Sequence, residues 1–230
     1  MRHFLMAKRG RGRNLWSRSL SSLGKRIFDL CFASVVLFLT LPLFPVIALL
    51  IRWDSPGPIF FRQQRVGKDG KLFTMYKFRT MYVQADPYAP TPVDDRQDAR
   101  VTRVGYFLRK SGLDELPQFF NVIKGEMSVV GPRPEMPFLV EKYTERQRKR
   151  LQVLPGITGL WQISSARNRP IHENLQYDYY YIRHQSLWLD LIIVGKTFLL
   201  TFRSCLTALP RVKKVGWKRG VKYQEYIEKP

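Results

Sequence analysis

Residues 30–51 carry no charge, a run long enough on count alone to cross a bilayer as one helix. Pro42 and Pro45 fall inside it, and each removes a backbone donor and bends a helix. Lys25 and Arg26 precede the run and Arg52 follows it, and cationic flanks belong on the cytoplasmic side. A plain spanning helix satisfies the length. A kinked helix that enters and leaves one leaflet satisfies the prolines and the flanking charges as well. Residues 27–41 would reach about 22 Å as a helix, short of a hydrocarbon core of roughly 30 Å. The pattern therefore predicts a re-entrant helix-break-helix over residues 27–51, bent at its prolines.

After the breaker Asp54-Ser-Pro-Gly-Pro58 the period changes to two. Residues 59–66 and 72–81 read as short strands, and Gly67-Lys-Asp-Gly70 joins them as a hairpin. Strand alternation places Lys77 and Arg79 on one face. Residues 83–100 read as a surface loop whose acids, Asp94, Asp95 and Asp98, are expected to be solvated rather than metal-bound. A helical period follows, with Ser111 as N-cap and Asp114 three residues on in a capping-box spacing. Leu116, Phe119, Phe120 and Ile123 form its apolar side, and Pro117 is tolerable near its start. Residues 138–151 read as one charged helix. Leu154-Pro-Gly-Ile-Thr-Gly159 makes a tight turn into an aromatic segment, and Tyr177, Tyr179, Tyr180 and Tyr181 cluster around Asp178, by default as core. Residues 186–202 suit an interfacial amphipathic helix, with Trp188 at headgroup depth. The sum is an α+β fold, mainly helical: a membrane-embedded re-entrant helix pair and a small cytoplasmic domain with interfacial amphipathic helices and a short β-hairpin. Its expected divisions are a basic, mobile extension over residues 1–26, the re-entrant helix over 27–51, the main domain over 52–202 and a basic tail over 203–230.

Charge adds a partner class. The net charge of +21 is concentrated at the ends: residues 1–26 contribute +8 and residues 203–230 contribute +6. Basic ends usually touch a polyanion, here an anionic leaflet rather than nucleic acid, since no nucleic-acid-binding module is recognisable. Cys31 and Cys205 have no metal-ligand spacing and read as reduced packing residues of a cytoplasmic protein. Candidate chemistry centres on Asp114 and Glu115, adjacent carboxylates with Arg109 and Lys110 upstream and Arg133 held between two prolines downstream. Carboxylates ringed by cations suit nucleophilic or metal-assisted phosphoryl chemistry. Arg109, Arg133, Lys77 and Arg79 are candidate phosphate contacts.

Lys25-Arg-Ile-Phe-Asp29, Tyr76-Lys-Phe-Arg-Thr-Met81, Leu113-Asp-Glu-Leu-Pro-Gln118, Gly131-Pro-Arg-Pro134, Pro155-Gly-Ile-Thr-Gly159 and Tyr180 with the Asp190 segment occur in the order found in one family. Over residues 25–202 the chain resembles bacterial sugar transferases, the monotopic phosphoglycosyl transferases that act on polyprenyl phosphate. The resemblance implies transfer of a sugar 1-phosphate from a UDP-sugar to undecaprenyl phosphate, giving undecaprenyl-diphospho-sugar and UMP at the start of membrane glycoconjugate or exopolysaccharide synthesis. It implies Asp114 as nucleophile, through a phosphosugar-aspartyl intermediate, and Glu115 as metal positioner or proton acceptor. It also implies Mg²⁺ held at this pair, and an enzyme placed in one leaflet at the cytoplasmic face of the bacterial inner membrane by a helix kinked at Pro42. Compared with many members, Leu154 replaces a basic residue, and Ser164-Ser-Ala-Arg167 lacks a glycine before its arginine. These differences concern the nucleotide-sugar region, with Arg167 among the candidate substrate contacts, and leave the sugar open. The chain is expected to be a minimal catalytic unit with a basic extension, and homo-oligomerisation is left open. The rival reading is a membrane-tethered basic binding protein with an inert dyad.

Overall fold

The computed structural model describes residues 15–86, 98–167, 169, 171 and 174–208. The uncharged run folds as two helices, α1 (Leu15–Thr40) and α2 (Leu43–Asp54), bent by 61° across the break between them. Pro42 heads α2, and Pro45 falls in its first turn, where the missing N–H has no intrahelical acceptor to lose. The expected kink is present. Its first arm starts earlier than expected, however. Residues 15–26 belong to one continuous helix with the apolar run, and residues 1–14 lie outside the described residues. Residues 30–40, the uncharged part of α1, are only about 16 Å long. Among the described residues no single helix is long and apolar enough to cross a membrane, although the bent pair passes by length and composition.

The hairpin forms as expected from β1 (Phe60–Val66) and β2 (Leu72–Phe78), antiparallel, with Phe61 opposite Lys77. Phe73 and Met75 are buried, so alternation carries Lys77 inward on the same face. Next comes α3 (Arg103–Ser111). Thr102 Oγ1 accepts the Gly105 N–H at 2.9 Å, and Asp54 Oδ2, at the end of α2, accepts the Val104 N–H at 2.8 Å. α4 (Gln118–Lys124) ends under Arg26 of α1, whose guanidinium donates to the Val122 and Ile123 carbonyls at 2.7 and 3.0 Å.

A second, parallel pair joins β3 (Ser128–Val130) to β4 (Gly156–Thr158). A Cβ on Gly156 would lie 2.0 Å from the Gly131 nitrogen, so only glycine permits this approach. The single charged helix expected over 138–151 is instead α5 (Pro137–Glu141), α6 (Glu145–Arg148) and a short 3-10 turn. The reason is local: Thr144 and Gln147 form a capping box that starts a new helix. α7 (Gln176–His184) and α8 (Leu187–Ala208) complete the chain, and the tail beyond 208 lies outside the described residues. Among the described residues the fold is mixed α/β, mostly helical, with two small sheets.

Leu108, Val122, Met127, Val130, Tyr181 and Ile193 form one core with Phe78, and Ala33, Ile47 and Ile51 of the bent pair join it. One side of α1 and α2 is thereby spent on the core. Their other sides expose Phe38, Leu39, Leu49 and Trp53, and α8 exposes Trp188, Phe198 and Leu199. So much exposed apolar surface marks a protein or lipid contact. Cys31 is exposed on α1 rather than packed.

A buried charge cluster ties α1 to α8 and β3. Lys25 Nζ lies 3.2 Å from Asp29 Oδ1 and 3.0 Å from Asp190 Oδ2. The same Asp29 oxygen accepts the Val129 N–H at 3.0 Å and the Ser128 hydroxyl at 3.1 Å. The Tyr181 hydroxyl lies 2.8 Å from Asp190 Oδ1 and 2.9 Å from the Val130 carbonyl. Buried charges persist when paired with opposite charges and hydrogen-bonded in this way.

Candidate active site

The carboxylate pair sits in a turn between helices, not in a helical first turn. Ser111 is the last residue of α3, and its hydroxyl donates back to the Phe107 and Leu108 carbonyls. Gly112 then takes φ of 69°, a left-handed conformation that ends the helix, and Leu113–Glu115 form one 3-10 turn before Pro117 opens α4. The expected capping box is absent because Gly112 closes α3 at the point where the spacing placed a helix start. Leu116, Phe119 and Val122 anchor the turn in the core, whereas Phe120 and Ile123, expected on the same apolar side, are exposed.

Held this way, both carboxylates meet Lys77 from β2. Lys77 Nζ lies 2.6 Å from Glu115 Oε1 and 3.9 Å from Asp114 Oδ2, and Arg133 Nη1 lies 3.8 Å from Glu115 Oε1. Asp114 accepts no hydrogen bond among the described residues, and its side chain keeps 10% of its surface open. Burial raises Asp114 to about 6, with the Lys77 charge pulling down and the Glu115 charge pushing up. Burial also penalises ionised Glu115, but Lys77 and Arg133 outweigh it and hold that carboxyl at about 2. Glu115 is thus fixed as an anion against its cations. Asp114 is the more basic of the two and has unused lone pairs, as a nucleophile requires.

Asp114 and Glu115 line a cleft of about 970 Å³ that Lys77, Arg109, Arg133 and Arg167 also line. Arg109 Nε donates to Thr80 Oγ1 at 3.0 Å, and Arg167 lies exposed at the edge. Arg79 departs from the expected phosphate role. It borders the cleft, but β2 ends at Phe78 and its buried guanidinium turns to the end of α2, donating to the Ser55 and Pro56 carbonyls at 2.6 and 3.0 Å. Asp98, expected as a solvated loop acid, is buried and holds Arg100 with both oxygens at 2.9 Å. Asp94 and Asp95 lie outside the described residues. Pro42 stands at the helix break.

Asn121 was not singled out in the sequence. It is fully buried, donates to the Thr74 carbonyl at 2.7 Å and to Glu126 Oε2 at 2.6 Å, and accepts the Tyr76 N–H at 3.3 Å. It therefore fixes α4 against β2 beside Lys77. Its only sequence signal was a polar residue on an otherwise apolar helix side. Among the described residues no three His, Cys, Asp or Glu side chains group as a metal site. The donor set still suits Mg²⁺, which binds through one or two carboxylates and leaves its other positions to water and substrate phosphate.

Residues 20–204 match the family model for bacterial sugar transferases. The chain is 43% identical over 187 residues to the UDP-glucose:undecaprenyl-phosphate glucose-1-phosphate transferase of Klebsiella pneumoniae, covering 78% of this chain and 39% of that protein. It is 42% identical over 179 residues to the UDP-N-acetylgalactosamine-undecaprenyl-phosphate N-acetylgalactosaminephosphotransferase of Aeromonas hydrophila, covering 75% and 42%. It is 40% identical over 194 residues to the exopolysaccharide production protein ExoY of Rhizobium meliloti (strain 1021), covering 78% and 86%. The chain thus spans about two fifths of the first two relatives and most of the third. With the family model matched over most of its length, the chain belongs to the bacterial sugar transferase family.

Proposed function

We propose that this protein moves a sugar 1-phosphate from a UDP-sugar to undecaprenyl phosphate, giving undecaprenyl-diphospho-sugar and UMP. The observation that carries this is Asp114: a carboxylate with no hydrogen bond of its own among the described residues, opening onto a cation-lined cleft beside a neighbour held ionised. An Asp114 oxygen attacks the phosphorus that bears the sugar. The bond from that phosphorus to the bridging oxygen breaks, and UMP leaves with the electron pair. An oxygen of undecaprenyl phosphate then attacks the aspartyl-bound phosphorus, and the Asp114 carboxylate is released. One hard displacement becomes two easier ones.

Lys77, Arg109 and Arg133 hold phosphate oxygens in line, with guanidinium forks matched to them, and Arg167 meets the donor at the cleft's edge. Arg79 is assigned to the end of α2 instead. Asp114 and Glu115 would hold Mg²⁺, which supplies neutralisation of the charge that develops on the diphosphate.

The bent pair lies in one leaflet on the cytoplasmic side of the bacterial inner membrane, as a re-entrant segment. The exposed apolar sides of α1, α2 and α8 support this, with Trp53 and Trp188 suited to headgroup depth. Anionic lipids meet the basic ends of the chain. The test is UMP release by protein in nanodiscs with Mg²⁺, undecaprenyl phosphate and a panel of UDP-sugars. Release with one donor is expected and names the sugar. Folded protein that releases no UMP with any of them overturns the proposal.

A further inference from the structure

Arg133 reaches Glu115 from residues 128–135, a segment tied to its neighbours through many of its backbone groups. The Ser128 N–H donates to the Pro155 carbonyl, that of Val129 to Asp29, and that of Gly131 to the Thr158 carbonyl. The Pro132 carbonyl accepts from the Gly156 N–H, that of Pro134 from Arg65, and that of Glu135 from the Val66 N–H. Pro132 and Pro134 have no N–H to offer and restrict the backbone on either side of Arg133. What remains is the orientation of the peptide that follows Arg133, and one side chain holds it. Arg150 Nη2 donates to the Arg133 carbonyl at 2.7 Å.

Arg150 is itself immobilised. It is 2% exposed; its Nε donates to Asp178 Oδ2 at 2.9 Å, its Nη1 to the Tyr143 hydroxyl at 2.7 Å, and Glu135 Oε1 lies 3.7 Å from Nη1. Asp178 and Glu135 are buried as well. A sealed guanidinium with two carboxylates and a phenol around it has no access to a substrate, yet its fourth contact is the backbone of a residue that does.

We infer that Arg150 is a positioning residue for Arg133: braced by Asp178, Glu135 and Tyr143, it fixes the Arg133 peptide and so aims the Arg133 guanidinium at the carboxylate pair and the donor diphosphate. This rests on the function proposed above. The guanidinium uses three nitrogens in a rigid fork, whereas a lysine keeps the charge but offers one nitrogen on a flexible stem and so gives up the fixed geometry.

The test is a double-mutant cycle of Arg150→Lys and Arg133→Ala, read as kcat/KM for the UDP-sugar that supports turnover and as equilibrium binding of UDP-glucose, with melting temperatures for all four proteins. Arg133→Ala is expected to lower kcat/KM roughly 30-fold, and Arg150→Lys about tenfold, chiefly through KM. In the Arg133→Ala background Arg150→Lys is expected to cost less than about twofold, because the residue it acts through is gone. An equal loss in both backgrounds, or no loss in either, overturns the inference and leaves Arg150 a packing residue. Where Arg150→Lys does not fold, Asp178→Asn loosens the brace isosterically and is held to the same non-additivity. A wild-type protein that releases no UMP overturns the function instead, and the cycle is then judged on UDP-glucose binding.

Discussion

Two pairs of carboxylates in this protein are each served by one lysine, and they are built to opposite ends. Asp29 and Asp190 share Lys25, and every partner is internal: a hydroxyl and an amide from β3, and the phenol of Tyr181. Asp114 and Glu115 share Lys77, but the lysine favours Glu115 and Asp114 is left without a donor among the described residues. Burial raises both Asp190 and Asp114. At Asp190 Lys25 and Tyr181 offset part of the cost; at Asp114 Lys77 does so from farther away, with no hydrogen bond among the described residues. Partners drawn from inside the fold make a joint, and a carboxylate without a hydrogen bond at an open cleft makes a candidate reagent.

The largest effect expected of this contrast is on turnover. Asp114→Asn should reduce UMP release by at least about a thousandfold, while the protein remains folded and membrane-associated. Near-normal release would remove Asp114 as nucleophile. Next is Lys25→Met, which strands two buried carboxylates and should cost about 3–5 kcal/mol of stability in thermal or denaturant unfolding. A loss below about 1 kcal/mol would show that the joint is not sealed in solution.

A smaller effect separates the pairs by pH. Asp114 binds its proton more tightly folded than unfolded, so its contribution to stability is fully present below the unfolded value near 4 and lost as pH rises through about 6. In chelator, Asp114→Asn should therefore stabilise the fold at pH 8, by on the order of 2 kcal/mol, and change it little at pH 4. Glu115 has the opposite sign: its contribution is full above about 4.5 and lost toward about 2, so Glu115→Gln should destabilise at pH 8. Melting curves at the two pH values decide both. The smallest effect belongs to Tyr181→Phe, expected to cost about 1–2 kcal/mol by removing one hydroxyl from the sealed cluster.

Features governed by neighbours in sequence were legible from sequence. Pro42 broke the helix where expected, and the Gly67–Gly70 turn produced the hairpin. Local patterns misled where a stronger local signal lay beside them. Ser111 with Asp114 spelled a capping box, but Arg109, Lys110 and Gly112 spelled a helix end, and the glycine won because it alone accepts the left-handed turn. The capping box that forms is Thr144 with Gln147, inside what read as one helix. Lys77 and Arg79 read as equivalent because alternation was extended past Phe78, where the strand stops. The joint was out of reach for another reason. Lys25 and Asp29 are one helical turn apart and visible, but nothing near Asp190 announces that α8 will bring it to them.

Each arm of the bent helix pair is stitched to a different wall of the cleft. Asp29 on α1 holds the strand that runs into Arg133, and Asp54 at the foot of α2 holds the head of α3, whose far end turns into Asp114. The 61° bend is thus an internal dimension of the candidate site as well as of the apolar hairpin. A change in that bend would be expected to alter the gap between Asp114 and Arg133, so a force that flattened the hairpin would be felt in the cleft before any side chain there had been touched.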